Sequence, residues 1–169
     1  MAVKKYGSLK VALGINVFSK NKENKLIPPP YNILAGIVVA TAGLTACVVG
    51  AVIVTLLIIN LVDPAFVLNP LFAKNTTYYT AHTRANVQIC FGAGIAYAVL
   101  PLYTKRKWYT SRAIVVGWLF TLAFVMLAFF HHMYQDFVQP LAFQFIGNIA
   151  SYSSPVPAVV VTVFGALLF

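Results

Sequence analysis

Four apolar runs, separated by polar or proline-bearing breaks, divide the chain. The first, residues 33–62 (ILAGIVVATAGLTACVVGAVIVTLLIINLV), holds no charged side chain. A helix needs about 20 apolar residues to cross a bilayer, so this run predicts a span that tilts or emerges at one end. Asp63-Pro64 stops it, and residues 63–77 are expected as a loop. A second run covers about 78–103, weakly apolar at its start and strongly so from Val87. The third covers about 113–134. The fourth covers about 140–169 and is interrupted by SSPVP. None of the four alternates as a half-buried strand would. The expected fold is all-α: a polytopic membrane protein of about four transmembrane helices over residues 31–169. A polar, basic segment, 1–30, precedes them; it ends in IPPP and reads as lying on the membrane surface. The last residues, VFGALLF, have no polar flank, which reads as a fragment or one piece of a split subunit.

Composition agrees with this pattern. Of the 169 residues 60% are hydrophobic and 9% charged, and the mean hydropathy is +0.83, which excludes a water-soluble globule. The net charge of +9 could suggest a nucleic-acid partner, but its distribution argues against one. Lys4, Lys5, Lys10, Lys20, Lys22 and Lys25 precede the first run, and Lys105, Arg106, Lys107 and Arg112 lie between the second and third. Basic segments of this kind stay on the cytoplasmic side. The N-terminus and residues 104–112 are therefore expected inside, and residues 63–77 and 135–139 outside. Cys47 and Cys90 both fall in apolar runs and read as small hydrophobes rather than a disulfide pair. The segment MAVKKYGSLK lacks the apolar core and cleavage site of a signal peptide.

The topology gives the polar residues their interest. The only histidines are His82, His131 and His132. By span counting, His82 lies in the outer part of the second span, a few residues from the 63–77 loop. His131 and His132 lie at the outer end of the third. All three thus come to a similar depth, although 49 positions separate His82 from His131. Ionisable groups inside a membrane are costly and are functional suspects by default. Three neutral imidazoles suit copper, zinc or iron and leave a coordination position open. Adjacent residues on an α-helix diverge by about 100°, so His131 and His132 can reach one ion only near a kink or from opposite flanks. The plainer reading is a wet helix end, with the pair lying among Tyr134 and Asp136. Asn148, Ser151, Tyr152, Ser153 and Ser154 can satisfy backbone loosened by Pro155 and Pro157.

At these residues the chain resembles the catalytic subunit of the heme-copper oxidase superfamily. His82 lies in a span that continues to YAVLP (Tyr97 to Pro101). HHMYQD follows a basic turn and an apolar helix, and Val156-Pro157 follows in the next span. The intervals resemble most closely the branch containing the ba3-type oxidases, over residues 33–169, or about four of that subunit's dozen helices. The resemblance implies that His82, His131 and His132 are the ligands of the non-heme metal, copper or iron, facing a high-spin heme. The heme iron's ligands would come from another chain or a missing part. It further implies a piece of a membrane respiratory oxidoreductase that reduces O2 to water with proton uptake. Other subunits of the complex are implied as partners, with cytochrome c, a cupredoxin or quinol as electron donor, in a prokaryotic plasma membrane.

One departure from the resemblance concerns chemistry. Oxygen-reducing members of that branch carry a tyrosine four residues after the first histidine, covalently joined to a neighbouring ligand; here the position is Asn86. A phenol can give up an electron and a proton, and an amide can do neither. Asn86, the candidate catalytic position, therefore points to the alternative of NO reduction to N2O, since nitric oxide reductases also lack that tyrosine. Tyr97 and Ser151 match positions near the single proton path of the branch, with local helix hydrogen bonding as the plainer role of each. Arg84 and Asp136 are expected near heme propionates or the outer water exit. Two readings from other classes stand beside these: a metal-transport module, and a non-catalytic accessory subunit whose histidines are incidental.

Overall fold

A computed structural model describes residues 31–106, 112–153, 156 and 159–163. The basic segment 1–30, residues 107–111 of the basic turn, and Ser154, Pro155, Pro157, Ala158 and 164–169 of the fourth span lie outside the described residues. Four helices and one short 3₁₀ segment make up the described chain: α1 (Tyr31–Val62), α2 (Pro70–Thr104), α3 (Arg112–Leu127), the 3₁₀ segment Ala128–His132, and α4 (Leu141–Ser153). The all-α expectation holds, with no strand among the described residues. Among the described residues, three helical stretches are long and apolar enough to cross a membrane: Asn32–Val62, Pro70–Thr104 and Ala113–His132.

The ends of these elements follow from local chemistry. Asp63 closes α1: its Oδ1 accepts from the Ala65 N–H at 3.0 Å and its carbonyl from the Phe66 N–H at 3.0 Å. Asn69 then opens α2, its side-chain oxygen accepting from the Leu71 and Phe72 N–H groups at 2.9 and 3.1 Å. Pro70 at the first helical position needs no N–H partner and suits a helix start. Residues 70–77 are therefore helical, not part of the loop that hydropathy predicts. The reason is that this first stretch is polar but well capped. Thr76, Thr77 and Thr80 turn their hydroxyls back onto the carbonyls of Phe72, Ala73 and Thr76. His82 consequently sits three turns inside α2 rather than a few residues from a loop.

Packing in lipid cannot rely on expelling water, so close backbone approach matters more than apolar content. α1 and α2 make the most extensive contact, and small residues line it. A Cβ at Gly50 would come within 3.0 Å of Thr80 Cγ2, two positions before His82. The buried cluster gathers Leu34, Ala35, Val38 and Ala42 from α1 with Cys90 and Tyr97 from α2 and Val115 and Trp118 from α3. It lies toward the end of the bundle away from the histidines. Apolar side chains such as Leu44, Ile58, Leu61 and Ile89 point outward, as a lipid-facing surface requires.

A candidate metal centre of three histidines

α3 stops being α-helical at Leu127, and the chain tightens into the 3₁₀ segment that carries His131 and His132. In this tighter winding adjacent side chains diverge by about 120°, and the two rings nevertheless stay close, with centroids 4.2 Å apart. Both meet His82 of α2 edge to face, at 4.4 Å for His131 and 5.2 Å for His132. One nitrogen from each ring lies within 4.8 Å of the others. His82 Nδ1 and His132 Nε2 are 3.2 Å apart. Two ligands of one tetrahedral ion, each at about 2.0–2.1 Å from it, stand about 3.3 Å from one another. The pair is thus already at ligand spacing.

Two residues of α2 hold these rings, and both lie four positions from His82 on the same helix face. Asn86 Nδ2 donates to His82 Nε2 at 2.7 Å and to the His82 carbonyl at 3.0 Å. Tyr78 stacks on His132, with centroids 4.9 Å apart and planes within 13°. From the other side, Gly147 of α4 lies against the Phe130 carbonyl, the peptide just before His131. A Cβ at that position would collide with the carbonyl oxygen, so the close seat of α4 on the 3₁₀ segment requires glycine.

A polar rim closes the same end of the bundle. Lys74 of α2 forms an ion pair with Asp136. Gln139, buried, donates to Asp136 Oδ2 at 2.9 Å and to Asn75 Oδ1 at 2.6 Å, and accepts from Asn75 Nδ2 at 3.1 Å. The Lys74 ammonium holds the Asp136 carboxyl below the usual carboxylate value, with Gln139 contributing.

The sequence candidates thus separate. His82, His131, His132 and Asn86 come together. Arg84, two positions from His82 and so about 200° around the helix, is exposed on another face. Asp136 is engaged by Lys74 and Gln139. Tyr97 is buried at the other end of α2, its hydroxyl 3.4 Å from Thr162 Oγ1 and its ring edge-on to Trp118. Ser151 donates to the Gly147 carbonyl at 2.8 Å, the local helix bond. Sequence reasoning missed Tyr78, Lys74, Asn75 and Gln139. For Tyr78 a signal existed in its four-residue spacing from His82. For the Lys74–Asp136 pair nothing in the pattern joins residues 62 positions apart.

A helical membrane protein with three converging imidazoles defines a narrow class. Over residues 11–169 the chain matches the family described as Cytochrome C and Quinol oxidase polypeptide I. It belongs to that family, subunit I of the heme-copper oxidases, and is an integral membrane protein. Comparison with curated proteins and with solved structures gives no match.

Proposed function

We propose that this chain supplies the three-histidine, non-heme metal site of a heme-copper centre that reduces O2 to water with proton uptake, in a respiratory membrane complex. The observation that carries the proposal is the convergence of His82, His131 and His132 within 4.8 Å. The donor set fits copper: three imidazole nitrogens, with no carboxylate or thiolate among them, and a coordination position left open. Bound there, copper would supply an electron and a site for the second atom of the reducible ligand opposite a heme iron. No histidine is left over to bind that iron, since all three stand in the cluster. The heme's ligands therefore belong to residues other than these histidines.

The chain's own side chains do the remaining work. His82, His131 and His132 hold the metal, Tyr78 fixes the plane of His132, and the rim of Lys74, Asp136 and Gln139 closes the site toward the outer surface. Tyr97 with Thr162, and Ser151, offer hydroxyls along which protons can approach from the opposite end. Electrons would come from cytochrome c, a cupredoxin or quinol through other subunits. The order of His82, YAVLP, the histidine pair and Val156-Pro157 supports a place in the ba3-like branch.

A second reading rests on one residue. Asn86 occupies the position of the tyrosine that yields an electron and a proton in oxygen reduction, which favours coupling of two NO molecules to N2O. The test adds O2 or NO to the reduced complex. Oxygen uptake without N2O supports the first reading; N2O formation with negligible oxygen uptake supports the second and overturns the first.

A further inference from the structure

The Asn86 amide cannot supply the electron and proton that a phenol would. Its position defines what it does. Its side chain leaves α2 one turn beyond His82 and returns to the imidazole, contacting Nε2 at 2.7 Å, while Nδ1 of the same ring faces His132 Nε2 at 3.2 Å. The ring therefore has one nitrogen committed to the amide and the other committed to the histidine cluster. The same amide nitrogen is anchored on the His82 carbonyl at 3.0 Å, which fixes the side chain against its own helix. A half-turn of the ring about Cβ–Cγ would put carbon where each of these nitrogens now stands, and would break both contacts.

From this we infer that Asn86 is a positioning residue: it selects Nδ1 of His82 as the nitrogen presented to the metal, by a hydrogen bond where a covalent link to tyrosine would otherwise act. The inference rests on the three-histidine reading above. An amide suits the role because it carries both a donor and an acceptor. As placed, Nδ2 donates to a bare Nε2; with a metal on Nδ1 the proton sits on Nε2, and the amide must turn its oxygen to accept from it, giving up the bond to the His82 carbonyl. Partners of this kind behind a metal-bound histidine typically change affinity about 10- to 100-fold when lost. A hydrogen bond also leaves the ring free to be released, which a covalent link does not.

The test uses the full chain in its native membrane complex, with site copper defined as the copper lost in His82→Ala. Copper affinity is measured by chelator competition and copper–nitrogen coordination by X-ray absorption. Asn86→Leu removes all polarity. Asn86→Ser keeps a hydroxyl that can bond the His82 carbonyl but is too short to reach the ring. Asn86→Asp keeps an acceptor for Nε2–H. The inference expects about 10- to 100-fold weaker copper binding and a disordered nitrogen shell in the Leu and Ser variants, with near-parental values in Asp and unchanged melting temperatures. If Leu and Ser hold copper as tightly as the parent while His82→Ala loses it, the positioning role is wrong and the site stands. Equal impairment of all three variants with lowered melting temperatures also overturns it, because the role is then structural. A parent complex with no copper dependent on His82 removes both the inference and the reading beneath it.

Discussion

Asp136 and Lys74 illustrate how single side chains close the histidine end of the bundle. A carboxyl held more acidic in the folded chain than in the unfolded one stabilises the fold above its unfolded value, near 3.8 here, and that contribution disappears as pH falls through the lowered value. Lys74→Met should therefore lower the melting temperature at neutral pH, and the gap to the parent should close on acidification from roughly pH 5 to pH 3. A gap that stays constant over that range would show that the ion pair does not contribute through Asp136's charge. At this scale the ligand candidates were legible in the sequence, because imidazole is rare in apolar runs and only three are present. Their supports were less so. Tyr78 and Asn86 share a helix face with His82 by spacing alone, whereas the Gln139–Asn75 amide pair depends on a tertiary fold that no local pattern encodes.

At the scale of elements, the two histidines depend on how α3 ends. The sequence reading allowed a kink or an approach from opposite flanks; the structure has a shift to 3₁₀ winding at Ala128–His132. That segment is seated by α4 at Gly147. Gly147→Ala should cost about 1–3 kcal/mol, as forced overpacking does, and should weaken metal binding at His131, checked by thermal melting and metal content. Unchanged melting and metal content would mean that α4 can retreat without moving the histidines. A second element-scale outcome concerns the end of α2, where Lys105 adopts φ 56°. Glycine takes this left-handed conformation without the Cβ penalty, so Lys105→Gly should raise stability by up to about 1 kcal/mol in detergent melts; a loss would mean that the lysine side chain stabilises the helix end by more than the strain. Element boundaries were legible where hydrophobicity marks them, as at Val62. They were not where capping chemistry decides, as at Asn69-Pro70, because a polar but well-capped stretch looks like a loop to hydropathy.

At the scale of the whole molecule, the family and the all-helical membrane fold were legible from apolar runs and the order of a few polar residues. Charge bias alone predicts the orientation, with the basic turn around Lys105 and Arg106 expected inside and the loop at 63–69 expected outside. A cysteine placed at Ala65 should react with an impermeant thiol reagent in intact cells, and one at Arg106 only after the membrane is opened; the reverse pattern would invert the topology and put the histidines at the inner face. Ligands for the heme that the proposed centre requires were not legible, because the chain's three histidines already stand together in the cluster. The central claim is that His82, His131 and His132 hold one metal together. It is tested most directly by the metal content of the purified native complex, with and without His131→Ala/His132→Ala. The account predicts heme in both and about one copper per chain lost from the variant, the single ion that three converging imidazoles can hold. Equal copper in the two, or a native complex without heme, would contradict it.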